Sequence, residues 1–275
     1  GGFTGPGDLL VDGGTRWVAV VGMILSGTSI VVLWRLVVGR GRGLLRSREL
    51  RSYLSILIVA TGLFLAWSGP MEGVDLREAL FTVSSAITTT GFPSDPMGEW
   101  SAALPVLLLL LVAIGPMTGS AGGGFQILRL RILLNSATRE MVRQLHPRVV
   151  ARVRLGGRVA EESTVRQATV VQFVFVAILF ATALVVATLG LDMAAALSAS
   201  VHAVSTAGPV RALDGSILDP SGWPRPTRLA LLPAMVSGRL FLYPAAVTGG
   251  TLLIELGNQL RLRRRWRRWR TSEAR

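Results

Sequence analysis

The stretch Ser85–Trp100, SAITTTGFPSDPMGEW, places three threonines, a glycine and a phenylalanine between a partly apolar segment and a turn-rich one. The partly apolar segment, of about 15 residues at 1.5 Å per residue, would be about 22 Å long, too short to cross a hydrocarbon layer of about 30 Å. We therefore predict a half-helix that enters the membrane and stops at the Thr/Gly turn. The same motif returns at Ser205–Val210, STAGPV, and in shortened form at Gly1–Phe3, GGF.

The composition is that of an integral membrane protein. Half of the 275 residues are hydrophobic, 16% are charged and the mean hydropathy is +0.51, whereas soluble domains contain about 25% charged residues. The sequence has no cysteine, which excludes disulfides and thiolate metal sites. It also contains no recognisable pair of catalytic carboxylates, nucleophile–base set or phosphate-binding loop, so neither an enzyme nor a tightly bound cofactor is expected.

Arginine supplies every basic residue, and the net charge is +13. Five arginines lie within Gly39–Arg51, nine within Arg129–Arg166, and more in the tail that contains RLRRRWRRWR. These clusters follow the first, third and fifth apolar spans, which places them in the cytoplasm by the positive-inside rule. Nucleic-acid binding is the weaker interpretation, because the clusters flank apolar spans. In the tail, arginine alternating with tryptophan suits a lipid headgroup layer.

The apolar runs predict five spans: Arg16–Val38, Tyr53–Trp67, a third from near Trp100, Val170–Leu189, and a last from near Thr227 to near Leu256. The order span, half-helix, turn, span occurs twice, after the back end of a third copy, which indicates an internal repeat. Because the chain opens inside a turn, we expect it to lack about one and a half repeats.

Threonine and glycine after a half-helix suit a cation. Irregular backbone is tolerated at membrane depth only where protein or water satisfies its polar groups. The C-terminal end of a half-helix carries partial negative charge, and glycine permits the positive φ that turns carbonyl oxygens toward an axis. Rings of carbonyls replace the hydration shell of K⁺, and threonine hydroxyls could add ligands. The alternative is a surface turn, which the repeat of the motif disfavours.

The segment Gly115–Gly124, GPMTGSAGGG, interrupts the third span. Each helical glycine costs about 1 kcal/mol relative to alanine and an interior proline about 3 kcal/mol, so we predict an intramembrane loop beneath the filter. The alternative is close helix packing through Gly115, Gly119 and Gly123. Arg239, inside the last span, should face protein or water, and carbonyls of the loop are its expected partners. The alternative for Arg239 is snorkelling to the interface.

Together, TTTGF, STAGP, GGF and GPMTGSAGGGFQILR resemble the membrane subunits of Trk/Ktr/HKT-type potassium transporters. That family has four repeats of outer helix, pore half-helix, filter turn and inner helix around one pore. The resemblance implies an all-α membrane protein containing the C-terminal two and a half repeats. The corresponding segments are 1–38, a filter end and inner helix; 39–51, a basic linker; 52–134, the third repeat; 135–168, a basic segment; 169–258, the fourth repeat; and 259–275, a basic tail.

The resemblance also implies site residues and partners. The filter would comprise Gly1, Gly2, Thr89, Thr90, Gly91, Thr206, Ala207 and Gly208. The gate would comprise Gly115, Gly119, Ser120, Gly122, Gly123, Gly124 and Arg239. The expected function is K⁺ uptake across the cytoplasmic membrane of a bacterium, by a multi-pass homodimer in contact with lipid and with cytoplasmic nucleotide-binding regulatory subunits of the TrkA/KtrA type.

Three residues depart from the family pattern. Val210 stands where a second filter glycine is common, Gln126 where a lysine often follows the glycines, and Phe241 where an acidic residue is usual. They leave open a second interpretation, a non-conducting scaffold or regulatory subunit with a degenerate pore repeat. His202, four residues before Thr206, is expected to pack within its half-helix rather than to relay protons.

Overall fold

The computed structural model describes residues 13–38, 47–68, 74–92, 101, 103–146, 161–208, 212–213 and 217–240, and the backbone of 154–155 and 158–159. Gly1, Gly2, Val210, Phe241 and the tail 259–275 lie outside the described residues. The chain divides into two units, Gly1–Arg239 and Leu240–Arg275. Apart from Leu240, the description below concerns the first unit.

Helices make up most of the described chain, as predicted. They are α1 Gly13–Ser26, α2 Ile30–Val37, α3 Arg48–Ser68, α4 Leu76–Ile87, α5 Ala103–Ile114, α6 Ile127–Leu145, α7 Glu162–Thr188, α8 Met193–Val204 and α9 Arg225–Arg239. A short antiparallel hairpin, β1 Arg154–Leu155 with β2 Arg158–Val159, joins α6 to α7, and a single 3₁₀ turn, Pro220–Gly222, precedes α9.

Two helices of the described chain, α3 and α7, are long and apolar enough to cross a membrane, with 21 and 27 residues. Helix α5 is apolar but only 12 residues long, because the glycine segment stops it at Ile114. Helices α4 and α8 are also 12 residues long. Both half-helices are thus shorter than the 15 residues estimated from the sequence.

The predicted first span, Arg16–Val38, is not one straight helix: α1 and α2, which together are long and apolar enough for a span, meet at a bend of 108°. Gly27 lies at this break and has no room for a side chain, since a Cβ would come within 2.5 Å of Tyr53 Oη and 2.8 Å of Thr88 Cγ2. The backbone groups released by the bend find partners in the glycine segment, which the sequence pattern could not indicate.

Helices extend beyond the apolar runs into the predicted basic segments. Helix α3 begins at Arg48, inside the linker 39–51, and α6 continues to Leu145, eleven residues beyond 134. Arginine and glutamate are good helix formers, and the ion pair between Arg143 and Glu140 links neighbouring positions of α6. The boundaries drawn from hydropathy were therefore too narrow for these helices.

The two half-helices are held by different neighbours. Helix α4 packs against α1, α3 and α5, whereas α8 packs against α7, α9 and α5. Buried apolar side chains fill these contacts, including Phe64 on α3, Ile87 on α4, Leu104 on α5 and Val204 on α8. Because α5 touches both half-helices, the ends of α4 and α8 come together beside the segment that follows α5.

Candidate functional site

The half-helices α4 and α8 end with the same backbone geometry. Their C-caps, Thr88 and Ser205, keep helical backbone angles, and the following threonines are left-handed, Thr89 with φ 53° and Thr206 with φ 51°. Thr89 N–H donates to the Ala86 carbonyl at 3.1 Å, and Thr206 N–H to the Ala203 carbonyl at 3.0 Å. The two turns therefore match down to individual hydrogen bonds.

A left-handed threonine is unusual, because its β-branched side chain crowds the backbone. Such a residue costs about 1–3 kcal/mol and persists where the surroundings hold it in place. The sequence predicted positive φ at glycine, and Gly91 has φ 78°, but the left-handed threonines two residues before each glycine were missed. The sequence signal that could have identified them is a threonine two residues before the glycine in both motifs.

The turns touch each other, and their first residues are buried while the following ones are partly buried. Thr88 and Thr89 are 4% and 5% exposed, so the interpretation as a surface turn is wrong. A Cβ placed on Gly91 would overlap the Gly208 backbone. The structure thus brings the two predicted filter glycines into direct backbone proximity.

Six carbonyl oxygens at these turns are available to a ligand. In the described part of the chain, no donor is assigned to the carbonyl oxygens of Thr89, Thr90, Gly91, Thr206, Ala207 and Gly208. Buried carbonyls are nearly always paired with protein, water or an ion. The two half-helices also end here, which adds their partial negative charge to that of the oxygens.

The glycine segment packs directly against both turns. Gly123 N–H donates to Thr89 Oγ1 at 3.0 Å, and a Cβ on Gly123 would overlap the Ser205 carbonyl oxygen. A Cβ on Gly122 would lie 2.8 Å from the Thr88 carbonyl oxygen. Only glycine fits at either position without displacing the turns or the segment.

The segment is an irregular loop rather than a helix-packing stripe. Gly115, Gly119 and Gly124 have φ values of 69°, 75° and 82°, and Ser120 Oγ donates to the Met117 carbonyl at 2.6 Å. A Cβ on Gly115 would overlap the carbonyl oxygen of Gly123, so these two glycines face each other within one loop. The packing interpretation, which requires a second helix at this stripe, is therefore not supported.

Three further groups, distant in the chain, hold the loop in addition to Thr89 Oγ1. Arg239 Nη1 donates to the Ala121 carbonyl at 2.9 Å, the type of contact expected from the sequence. Glu49 Oε1 accepts a hydrogen bond from Thr118 N–H at 2.7 Å. The break between α1 and α2 supplies the third group, with Met117 N–H donating to the Gly27 carbonyl at 3.1 Å. The contacts of Glu49 and of the break with the loop were not predicted from the sequence, because both lie far from the loop along the chain.

The first half-helix is supported by an ion pair. Arg16 on α1 pairs with Glu78 on α4 and lies 5.9 Å from the ring centroid of Phe81. Glu78 N–H also bonds to Asp75 Oδ1 at 2.8 Å, the N-terminal part of a capping arrangement. The Asp-x-x-Glu spacing marked this helix start in the sequence, but nothing there indicated the partner of Glu78.

His202 lies in α8 with 7% exposure, and its Nδ1 is 2.9 Å from the Ser198 carbonyl oxygen. This placement agrees with the expected packing within the half-helix. Among the described residues, no group of three or more His, Asp or Glu side chains could hold a metal ion. Any cation at the turns would therefore bind mainly to backbone and hydroxyl oxygens.

Comparison with known proteins finds cation and potassium transport proteins. A family model described as "TrkH: Cation transport protein" matches residues 67–253. The Trk system potassium uptake protein TrkH of Escherichia coli is 29% identical over 191 residues, 68% of this chain and 37% of that protein. The corresponding protein of Halomonas elongata is 32% identical over 203 residues, 73% of this chain and 42% of that protein.

A solved structure, that of the potassium transporter TrkH from Vibrio parahaemolyticus, matches with a TM-score of 0.81 and 22% identity. The match covers 87% of this chain and 53% of that one, and it shows the fold. The aligned parts of the chain span less than half the length of the two curated relatives.

Proposed function

Since the chain belongs to the TrkH family of cation transport proteins, we propose that it forms part of a pore for potassium uptake across the bacterial cytoplasmic membrane. The two turns would line the selectivity filter with Thr89, Thr90 and Gly91 on one side and Thr206, Ala207 and Gly208 on the other. Gly1 and Gly2, assigned to the filter by resemblance, lie outside the described residues. K⁺ is the transported ion in this proposal, and no tightly bound cofactor is invoked.

The observation that carries the proposal is the group of six carbonyl oxygens without a donor in the described chain. Such oxygens at the ends of two half-helices favour a desolvated cation over water or an anion. The left-handed threonines support the same function, because strained backbone of this kind concentrates at functional sites. Thr89 and Thr206 would hold the carbonyls of their turns in a fixed direction.

Ion flux is the direct test. The complete protein, reconstituted in vesicles, should take up rubidium in competition with K⁺ and more weakly with Na⁺. Absence of uptake in correctly folded, monodisperse protein would favour the second interpretation, a non-conducting scaffold.

The loop Gly115–Gly124 is proposed as the gate of this pore. Gly122 and Gly123 lie against carbonyls of the two turns, so the loop occupies the space next to the filter. Arg239 holds it through the Ala121 carbonyl. Replacement of Arg239 by alanine should release this end of the loop and raise rubidium flux, whereas unchanged flux would leave Arg239 without a gating role.

Regulation from the cytoplasmic side is proposed from the charge of the two basic segments. Arg139 is paired with Glu140 and Glu162, and Arg143 with Glu140, so part of the positive charge of 135–168 is neutralised locally. The remaining arginines of the sequence would give this segment a positive charge that suits an acidic partner, in this case nucleotide-binding subunits of the TrkA/KtrA type. A homodimer embedded in lipid is the proposed assembly.

Co-purification tests this docking surface. Charge reversal at Arg139 and Arg143 in the complete protein should weaken binding of the regulatory subunit, most strongly at low salt. Binding that survives the reversal would rule out this surface. Arg148, the third arginine assigned to the surface from the sequence, lies outside the described residues.

A further inference from the structure

Glu49 is the single acidic residue in the arginine-rich segment Gly39–Arg51. The positive-inside rule accounts for the arginines of this segment but not for the glutamate. In the structure it lies in the first turn of α3 and is partly buried. Its Oε1 accepts the hydrogen bond from Thr118 N–H at 2.7 Å. A cytoplasmic helix start therefore reaches a backbone amide of the loop through one carboxylate.

The other bonds on this side of the loop are made by backbone alone. Ala121 N–H donates to the Ser26 carbonyl at 3.3 Å, and Ile30 N–H donates to the Gly119 carbonyl at 3.0 Å. Substitution of side chains leaves these bonds in place. Among the described residues, Glu49 and Arg239 are the side chains from outside the loop that are bonded to the backbone of 117–121, and they hold it at different points.

The surroundings of Glu49 connect this contact to the charged cytoplasmic segments. Arg131 on α6 interacts electrostatically with Glu49 and also with Arg48 and Arg51. The carboxylate thus lies among three arginines while one of its oxygens bonds to the loop. A hydrogen bond from a neutral amide to an ionised carboxylate is stronger than one between neutral groups, and it is weakened when the charge is removed.

We propose that Glu49 is a positioning residue that holds the loop Gly115–Gly124 in the conformation that obstructs the pore. The proposal deepens the gating function proposed above and rests on it. Loss of the carboxylate should free Thr118 and the adjacent residues, while the filter oxygens stay in place. The loop would then leave its closed position more often, at unchanged affinity for the ion.

Four variants of the complete protein, studied without its regulatory subunit, separate positioning from folding. Glu49→Gln keeps the shape and removes the charge, Glu49→Ala removes the contact, and Glu49→Asp keeps the charge. Glu161→Gln is the matched control, because Glu161 is also an acidic residue at the start of a helix in an arginine-rich segment of the sequence. Its carboxylate accepts a hydrogen bond from Ser163 rather than from the loop. Monodisperse behaviour in detergent establishes folding for each.

Two readouts are needed. The first is rubidium uptake into vesicles, where the loss of the hydrogen bond in Glu49→Ala should raise the maximal rate roughly twofold to tenfold, and its weakening in Glu49→Gln should raise the rate less. Glu49→Asp and Glu161→Gln should match the parent, and the half-saturating rubidium concentration should not change. The second is the rate at which a membrane-impermeant maleimide labels Ser120→Cys, a specific probe in a chain segment without cysteine.

Faster labelling of Ser120→Cys in Glu49→Gln and Glu49→Ala, with parental rates in the other two variants, is the expected result. Labelling that is unaffected by Glu49→Ala would overturn the proposal. Faster labelling without a change in uptake would support the Glu49 contact and instead overturn the gating role of the loop. Failure of the parent to transport rubidium would count against the proposed function, while labelling still reports on Glu49.

Discussion

Half-helices α4 and α8 have the same length and end in the same left-handed threonine, yet their supports differ. Aligning Asp75 with Asp192 and Thr89 with Thr206 requires no gap. Glu78 then aligns with Ala195. Glu78 pairs with Arg16, whereas the side chain of Ala195 is uncharged. The common backbone therefore depends on the cap, the threonine and the glycine, while the side chains between them are free to suit different neighbours.

The loop also makes a different contact with each of the two turns. Gly123 N–H bonds to Thr89 Oγ1, but the same residue meets the turn after α8 through the Ser205 carbonyl oxygen, without a hydrogen bond. The turn after α4 therefore binds the loop with a directional bond, and the turn after α8 limits it by shape. Variants at equivalent positions should separate these two contributions.

The largest effect is expected at the contact between the turns. Gly91→Ala places a Cβ on the Gly208 backbone and forces a residue with φ 78° to carry a side chain. Rubidium uptake should fall to background, and Gly91→Val should behave likewise. Gly62→Ala on α3 is the control, because its Cβ would meet nothing within 4 Å. Uptake by Gly91→Ala at the level of this control would refute the filter assignment.

The next effect concerns the ion pair at α4. Glu78→Ala removes the partner of Arg16, whose side chain is 17% exposed, and should lower the free energy of unfolding by about 3 kcal/mol. Thermal unfolding in detergent measures the change. Glu140→Ala removes an exposed carboxylate that pairs with Arg139 and Arg143, and it should cost about 0–1 kcal/mol per pair. Equal losses in the two variants would mean that the Arg16 pair contributes no more than a surface pair.

A smaller difference should separate the two threonines. Thr89→Ala leaves the buried Gly123 N–H without its acceptor, at a cost of about 1–3 kcal/mol, whereas Thr206 Oγ1 accepts no hydrogen bond within the described chain. Both variants relieve the same crowding of a left-handed residue, so the difference between their unfolding temperatures isolates the hydrogen bond. Thr206→Ala being the less stable variant would contradict this assignment.

The smallest effect is expected at the helix starts. Asp75 accepts a bond from Glu78 N–H at 2.8 Å, and Asp192 accepts one from Ala194 N–H at 3.1 Å. Replacement of either aspartate by alanine should lower stability by about 1 kcal/mol, with little effect on uptake. Clearly unequal losses, measured by chemical unfolding, would show that the caps of the two repeats are not equivalent.

Much of the architecture could be predicted from local signals. Hydropathy and arginine position identified most apolar segments, and the Thr/Gly motifs located the ends of α4 and α8. The glycines and Pro116 marked the interruption after Ile114, because a helix cannot tolerate so many breakers in ten residues. Each of these features depends on residues close together in the chain.

The missed features depend on residues that are distant in the chain. Two glycines in the apolar run Arg16–Val38 do not predict a bend of 108°, because the bend is stabilised by loop residues such as Met117 and Gly119. The contacts between Glu49 and Thr118 and between Arg16 and Glu78 could not be predicted either, because the partners are distant in the chain. Left-handed threonine contradicts the ordinary preference of a β-branched residue and arises only from tertiary contacts.

The position of Gly123 between the two turns has a consequence for biogenesis. Thr89 and the loop are made within about 35 residues of each other, whereas Ser205 follows only after α7 and α8 have been made. The bond from Gly123 to Thr89 can therefore form early, but the Ser205 carbonyl that limits the loop from the other side is added late. Contacts between distant segments are also slow to form. If the loop is the gate proposed above, its closure would be one of the last steps of maturation, completed when α8 is in place.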